Sequence, residues 1–202
     1  MPDRVEHWDQ MYATKSSDEL SWTQSTPSTS LSLISSLAGP EVAIIDIGAG
    51  TSTLVDELVA RDFQDLSILD LSQEALTLVK DRLPKGSNVS YISSSVTEWR
   101  PKKTYGLWHD RAVLHFMVSA PEQAAYLQNL NEATKPGSTI LLATFSEFGP
   151  EMCSGLPVKR YSKLEMEQYL GEEFVIMDSF LEEHVTPWNS SQSFRWFVVK
   201  RK

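Results

Sequence analysis

The chain has 202 residues, of which 41% are hydrophobic and 22% charged, the composition of an ordinary globular protein with a sizeable core. Its net charge of −9 argues against a nucleic-acid partner and favours a cationic small molecule or a basic protein. Cys153 is the only cysteine, which excludes an internal disulfide and a multi-cysteine metal site.

The sequence shows no sign of a membrane segment. No apolar run approaches the roughly 20 residues that a membrane-spanning helix needs, and residues 1–10 lack the apolar core of a signal peptide. We therefore expect a cytoplasmic protein with no membrane partner. The histidines have no partners at metal-ligand spacing, so no metal is expected.

The first forty residues, called the head below, differ from the rest of the chain. Residues 6–12 have the pattern of a short helix, and a Ser- and Thr-rich stretch with the composition of a linker follows at 14–32. A second helix is predicted at 28–37, ended by Gly39-Pro40. We expect one domain, 1–202, in which the head (1–40) precedes a Rossmann-like core (41–202).

Strands and helices alternate through the core. The patterns predict the strands 42–47, 66–69, 89–92, 106–109 and 138–145 and the helices 53–61, 73–83, 121–134 and 162–170. Strands separated by helices of this length form a parallel sheet with crossover connections.

The C-terminal part departs from this alternation. Two strand-like runs, 173–184 and 193–200, have no helix between them, so they must pair antiparallel. The predicted fold is α/β, a doubly wound, mostly parallel seven-stranded sheet with a C-terminal antiparallel hairpin.

A glycine-rich turn, Asp46-Ile47-Gly48-Ala49-Gly50, follows the first strand. A dinucleotide site requires G-x-G-x-x-G, but Thr53 occupies the third glycine position and Asp46 would repel a pyrophosphate. Asp70, at the end of the second strand, is placed to accept hydrogen bonds from ribose hydroxyls. Two acids, two glycines and no phosphate cradle fit S-adenosylmethionine (SAM). This cofactor has an amino group, a ribose and a sulfonium but no phosphate.

These residues resemble motifs of the class I SAM-dependent methyltransferases. The Asp46–Gly50 segment looks like the first motif of that family, Asp70 matches its acidic second-strand residue, and the terminal hairpin is similar to its last strands. The head is similar to the start of small methyltransferases that include lysine methyltransferases of translation elongation factors. That resemblance implies that Tyr12 and Trp22 touch the cofactor.

Two positions depart from the family pattern. Ser52 replaces the third motif glycine, and Ser94-Ser95-Val96 stands where members often carry an acid that accepts from the adenine amino group. A serine hydroxyl can accept that bond more weakly, while the Val96 amide contacts the ring. The predicted cofactor-binding residues are Tyr12, Trp22, Asp46, Gly48, Gly50, Asp70, Leu71, Ser95, Val96, His109 and Arg111.

Methyl transfer depends chiefly on positioning, and it needs a general base only if the acceptor starts protonated. The candidate catalytic residues are His109, which titrates near neutral pH, and Asp110, which could orient it. Alternatively, His109 and Arg111 only tie the loop to neighbouring backbone. Cys153 is expected to be a residue of a lid at 146–159 rather than a nucleophile.

The sequence thus predicts a SAM-dependent methyltransferase whose acceptor, a small molecule or a protein (including lysine), lies between the head, the loop after strand four and the lid. The cluster Trp108-His109-Asp110-Arg111 does not match the motif of the lysine methyltransferases, which leaves small molecules open. Two alternatives remain: a non-catalytic SAM-binding regulatory or interaction protein, and an NAD-linked oxidoreductase, which Asp46 and Thr53 disfavour.

Overall fold

The computed structural model of the protein describes residues 4–16 and 19–202. Residues 1–3 of the head and residues 17 and 18 of the predicted linker lie outside that description. The helices are α1 (Arg4–Thr14), α2 (Ser28–Leu37), α3 (Leu54–Ala60), α4 (Gln73–Arg82), α5 (Ala120–Ala133) and α6 (Lys163–Leu170). The strands are β1 (Ile44–Ile47), β2 (Leu66–Asp70), β3 (Val89–Ser93), β4 (Leu107–Arg111), β5 (Thr139–Phe145), β6 (Met152–Cys153), β7 (Leu156–Pro157), β8 (Phe174–Val185) and β9 (Ser191–Arg201).

Seven of the strands form one sheet in the order β3-β2-β1-β4-β5-β9-β8. The first five strands are parallel, and β9 runs antiparallel to both β5 and β8. The predicted fold class, a mostly parallel seven-stranded sheet with a C-terminal antiparallel hairpin, is therefore confirmed.

The chain reverses its direction of winding at β1, whose neighbours are β2 and β4. In open α/β sheets, ligands bind in the crevice that such a reversal opens at the carboxyl ends of the strands. Every residue of β1, β2 and β5 is buried, as expected of strands covered on both faces. Functional side chains at this edge are thus supported by a packed core.

Side-chain caps fix where several helices begin. The Ser72 hydroxyl accepts from the Ala75 amide at the start of α4, and α5 and α6 begin with complete capping boxes at Ser119 and Ser162. Among the described residues, no helix is both long and apolar enough to span a membrane.

Two small elements were not predicted. The 146–159 loop contains the hairpin β6–β7, and a single 3₁₀ turn, Leu114–Phe116, follows β4. Two-residue strands and one-turn helices are too short to show a hydrophobic period, so the sequence carries no signal for them.

Candidate functional site

Two adjoining cavities lie at the carboxyl edge of the sheet around β1, and both are lined by Trp22, Gly48 and Arg111. The first extends over the ends of β2 and β3 to the segment after β4 and the β6–β7 hairpin. The second extends beneath residues 22–27 and over the glycine turn to Asp46 and His109. This is the edge where the sequence predicted a ligand.

The glycine turn is tightly enclosed. Gly48 and Gly50 have φ of +63° and +52°, a region that side chains with a Cβ rarely adopt. A Cβ on Gly48 would stand 2.0 Å from Val113 Cγ2, and one on Gly50 would stand 2.4 Å from the Tyr12 hydroxyl. Both glycines are therefore required by backbone conformation and by close neighbours.

Asp70 holds this turn from the end of β2. Its Oδ2 accepts from the Gly50 amide at 2.7 Å, and its Oδ1 accepts from the Ser72 amide at 2.8 Å. Burial nevertheless raises the pKa of Asp70 to about 6. Because each carboxylate oxygen can accept two hydrogen bonds, the group retains capacity for ligand hydroxyls at the first cavity.

Asp46 and His109 form a buried pair beside the second cavity. His109 Nδ1 lies 2.6 Å from Asp46 Oδ1, and His109 Nε2 lies 3.0 Å from the Ser30 hydroxyl of α2. Both ring nitrogens of His109 are thus engaged within the protein.

Asp110 organises the segment after β4. Its oxygens accept from the Val113 and Leu114 amides at 2.9 and 3.1 Å and from the Tyr126 hydroxyl at 2.5 Å. Burial raises the pKa of Asp110 to about 6 even though these bonds favour the ionised form. Asp110 lines neither of the two cavities.

Arg111 lies where the two cavities meet. Its Nη1 donates to the Trp22 carbonyl at 2.9 Å, and its guanidinium carbon lies 4.7 Å from the centre of the Phe194 ring. Its Nε and Nη2 are buried and have no hydrogen-bond partner among the described residues. Burial lowers the pKa of Arg111 to about 10.

Three aromatic residues of the head line the first cavity. The Trp8 ring packs edge-on against Trp22 at 5.5 Å and against Phe116 at 5.4 Å, and Tyr12 lies 6.3 Å from Trp22. Burial, with a contribution from the charge of Asp70, raises the pKa of Tyr12 well above its ordinary value, so its hydroxyl stays protonated. The head therefore packs over the site.

The first cavity is also lined by residues of the segments after β2 and β3, namely Leu71, Ser94, Ser95 and Val96. The Val96 carbonyl accepts from the Asn129 side chain at 2.6 Å, which ties this loop to α5. The Ser95 hydroxyl lies 2.7 Å from that of Thr97, so it already has one partner.

The structure brings most of the predicted cofactor residues to these cavities. The first is lined by Tyr12, Trp22, Gly48, Asp70, Leu71, Ser95, Val96 and Arg111. Asp46 and His109 line the second cavity, while Gly50 lines neither and reaches the site through its bond to Asp70. The structure brings these residues together; it does not test the roles that the sequence predicts for them.

Sequence reasoning did not single out several lining residues, namely Arg4, Phe116, Met117 and Leu156. They lie in the head, in the segment after β4 and in the β6–β7 hairpin, where no motif marks them. Cys153 also lines the first cavity, and burial raises the pKa of its thiol, so it carries no activated thiolate. Among residues 4–16 and 19–202, no cluster of three or more acidic, His or Cys side chains could hold a metal ion.

Comparisons with known proteins agree with this architecture. Residues 44–137 match the family model described as a methyltransferase domain. A malonyl-[acyl-carrier protein] O-methyltransferase from Ilyobacter polytropus is 25% identical over 105 residues, which are 52% of this chain and 39% of that protein. The matched segments span less than half the length of the curated relatives.

Solved structures share the fold over nearly the whole chain. A SAM-dependent methyltransferase from Anabaena variabilis has a TM-score of 0.78 at 14% identity, with 100% of this chain and 96% of that chain covered. A Burkholderia thailandensis 1,6-didemethyltoxoflavin-N1-methyltransferase, with that compound and S-adenosylhomocysteine bound, has a TM-score of 0.70 at 16% identity and covers 98% and 88%. Residues 44–137 thus match a methyltransferase domain, and the chain shares the fold of solved SAM-dependent methyltransferases.

Proposed function

We propose that this protein is an enzyme that transfers a methyl group from SAM to a small-molecule acceptor. The observation that carries the proposal is the meeting of Asp46, the Gly48–Gly50 turn and Asp70 at one edge of the sheet, in cavities lined by two buried carboxylates. Two carboxylates beside the turn suit an ammonium and ribose hydroxyls and oppose a pyrophosphate. The donor set thus fits SAM.

The two cavities would hold different parts of the cofactor. In the proposal, Asp70 receives the ribose, and Leu71, Ser95 and Val96 flank the adenine in the first cavity. Asp46 faces the ammonium end from the second cavity. Tyr12 and Trp22 cover the ligand from the head, where an aromatic face can also stabilise a sulfonium.

When bound, the cofactor supplies a methyl carbon that an acceptor lone pair attacks in line, while the electron pair of the breaking carbon–sulfur bond returns to sulfur. The protein's part is positioning: the apolar side chains of Phe116, Met117 and Leu156 line the first cavity and can hold an acceptor, and this part of the lining is called the acceptor half below. Residues of the head and of the β6–β7 hairpin line the same cavity.

His109 and Asp110 remain predicted catalytic residues, but their contacts favour positioning roles. His109 is engaged at both nitrogens and orients Asp46. Asp110 fixes the backbone of residues 113 and 114, of which Val113 lines the first cavity. Neither contact supplies a free base next to the proposed acceptor half.

A small acceptor is favoured over a protein side chain because head residues and hairpin residues both line the first cavity, on either side of a bound acceptor. The 1,6-didemethyltoxoflavin-N1-methyltransferase, a fold neighbour, acts on a small molecule. The Ilyobacter relative is named as an O-methyltransferase of a malonyl group carried by acyl-carrier protein.

The test has two stages. Calorimetry should show that SAM and S-adenosylhomocysteine bind and that NAD does not. Asp70→Ala should lower the affinity for both SAM and S-adenosylhomocysteine. Tritiated-methyl SAM is then incubated with a metabolite panel, a low-molecular-weight extract and a protein extract. Label in small molecules supports the proposal, and label only in protein contradicts the small-molecule acceptor. Tight binding without any transfer indicates the non-catalytic SAM-binding alternative.

A further inference from the structure

The guanidinium of Arg111 is a buried positive charge without an ion-pair partner among the described residues. One of its nitrogens donates to a neutral carbonyl of Trp22, and the other two are buried and unpartnered. Buried cations in proteins are ordinarily paired, because loss of hydration is costly unless an anion compensates it.

Glu182, the acid whose charge raises the pKa of Arg111, does not provide that compensation. Glu182 interacts with Arg111 only at a distance, since its two oxygens accept from the Thr29 hydroxyl and from Trp196 Nε1. His184 and His115 also feel the charge of Arg111, but burial lowers the pKa of both, and they carry no negative charge in any state.

The acceptor half of the first cavity is otherwise apolar, with Trp8, Phe116, Met117 and Leu156 in its lining. Arg4 also lines the cavity, but its guanidinium is paired with Glu122 at 2.8 Å. Asp70 is the one carboxylate in the described part of the lining, and it accepts from two backbone amides. Arg111 is therefore the one cation of that lining without an ion-pair partner among residues 4–16 and 19–202.

We propose that Arg111 pairs with a carboxylate of the methyl acceptor, so that the acceptor is an apolar molecule bearing a carboxylate. This inference rests on the proposed methyltransferase function and names its substrate class. The planar guanidinium matches a carboxylate with two parallel hydrogen bonds. Because Nε and Nη2 are shielded from solvent, pairing requires the side chains that cover them to shift locally.

A carboxylate on the acceptor differs from the cationic small molecule that the net charge favours. An acidic chain was expected to steer a cationic molecule, but a lysine ammonium placed next to an unpaired guanidinium would be repelled. The other possible source of a carboxylate is the methionine part of the cofactor itself, and the experiment must separate the two.

The experiment uses calorimetry on the full chain saturated with S-adenosylhomocysteine. The probes are benzoate, phenylacetate and hexanoate, each compared with its neutral amide. For wild type, at least one acid should bind about tenfold or more tightly than its amide, the scale of one charge-assisted interaction. Arg111→Gln should abolish that preference, and Arg111→Lys should retain part of it. Arg160→Gln, which removes an arginine outside the cavity lining, is the matched control and should behave as wild type.

A cofactor arm identifies the source of the carboxylate. S-adenosylhomocysteine and 5′-methylthioadenosine, which lacks the amino acid end, should each bind Arg111→Gln and wild type within about threefold. Loss of S-adenosylhomocysteine affinity alone would assign Arg111 to the cofactor and overturn the inference, as would equal binding of all acids and amides to wild type. Failure of wild type to bind S-adenosylhomocysteine would instead refute the proposed function.

Discussion

Asp46 and His109 are direct neighbours across the parallel strands β1 and β4, and their side chains meet at 2.6 Å in a buried position. The ring is held from its other side by Ser30, which belongs to the head. This chain of contacts connects helix α2 to the carboxylate beside the glycine turn. The first effect of substituting His109 should therefore be a displaced Asp46 carboxylate rather than a lost proton transfer.

His109→Asn should reduce both stability and cofactor affinity. The shorter side chain cannot reach Ser30 and Asp46 together, so a buried partner is left unsatisfied at a cost of about 1 to 3 kcal/mol. Urea unfolding measures this change in the free energy of unfolding. Ser30→Ala is the comparison. It leaves the buried His109 Nε2 unpaired and should also cost about 1 to 3 kcal/mol, but it keeps the contact between His109 and Asp46 and should leave cofactor affinity nearly unchanged.

The same variant separates positioning from base catalysis. If His109 positions Asp46, the KM for SAM should rise while turnover at saturating SAM stays within about tenfold of wild type. A drop of roughly 10² to 10⁴ in turnover with normal SAM affinity is the usual signature of a lost general base. That second pattern would support the catalytic role predicted from the sequence.

Cofactor binding should depend on pH through Asp70. Burial raises its pKa to about 6, above the roughly 3.9 of an exposed aspartate, so the free protein holds a proton there at pH 5. Ribose hydroxyls donate to the ionised carboxylate, so binding must displace that proton. The affinity for S-adenosylhomocysteine should rise by about fivefold between pH 5 and 6 and by up to about tenfold between pH 5 and 7, and level off above pH 7.

Asp70→Asn is the matched control for this titration. The amide cannot ionise, so its affinity should be lower at pH 7 and nearly constant from pH 5 to 8. In the variant, the side-chain NH2 group faces one of the two backbone amides that now donate to Asp70. Two donors then face each other, so the variant should unfold at lower urea concentration than wild type. A wild-type affinity that does not change across this range would contradict a role for Asp70 in holding the ribose.

The sequence was sufficient for the six helices and the seven strands of the main sheet, in chain order, because apolar runs and caps are local signals. It also brought Asp46, Gly48 and Asp70 to one place, since the carboxyl ends of neighbouring parallel strands share an edge. The contact of His109 with Ser30 spans 79 positions and leaves no local pattern. The unpaired state of Arg111 is likewise a property of three-dimensional packing, which leaves no pattern in the sequence.

The head should contribute to cofactor binding through Trp8. Its ring packs on Trp22 and Phe116, and each such aromatic pair is worth about 0.5 to 1.5 kcal/mol beyond buried area. Trp8→Ala should therefore weaken S-adenosylhomocysteine binding about tenfold while the sheet stays folded. Limited proteolysis should show that the ligand protects the head of wild type but not of this variant.

Gln10→Ala is the control in the same helix, because Gln10 is exposed and lies outside both cavities. A point substitution is a sharper test than deletion of residues 1–26. Leu20 is only 1% exposed, so that deletion would remove a core side chain together with the aromatic residues. Equal ligand affinity of Trp8→Ala and wild type would mean that Trp8 has only a structural role and does not contribute to cofactor binding.

The glycine turn gives the last prediction, which separates backbone strain from close contact. Gly48, Gly86 and Gly137 all have positive φ, but a Cβ at Gly86 or Gly137 meets no atom within 4 Å, whereas at Gly48 it meets Val113 Cγ2 at 2.0 Å. Gly86→Ala and Gly137→Ala should cost only the conformational penalty, about 1 to 2 kcal/mol. Gly48→Ala should cost more, since Val113 is a β-branched residue whose amide is bound to Asp110 and cannot move without releasing that bond. Urea unfolding of the three variants measures the difference in unfolding free energy. The slope of that free energy against urea concentration should be the same for all three. Equal losses at all three positions would mean that Val113 yields freely and that the turn has room for a side chain.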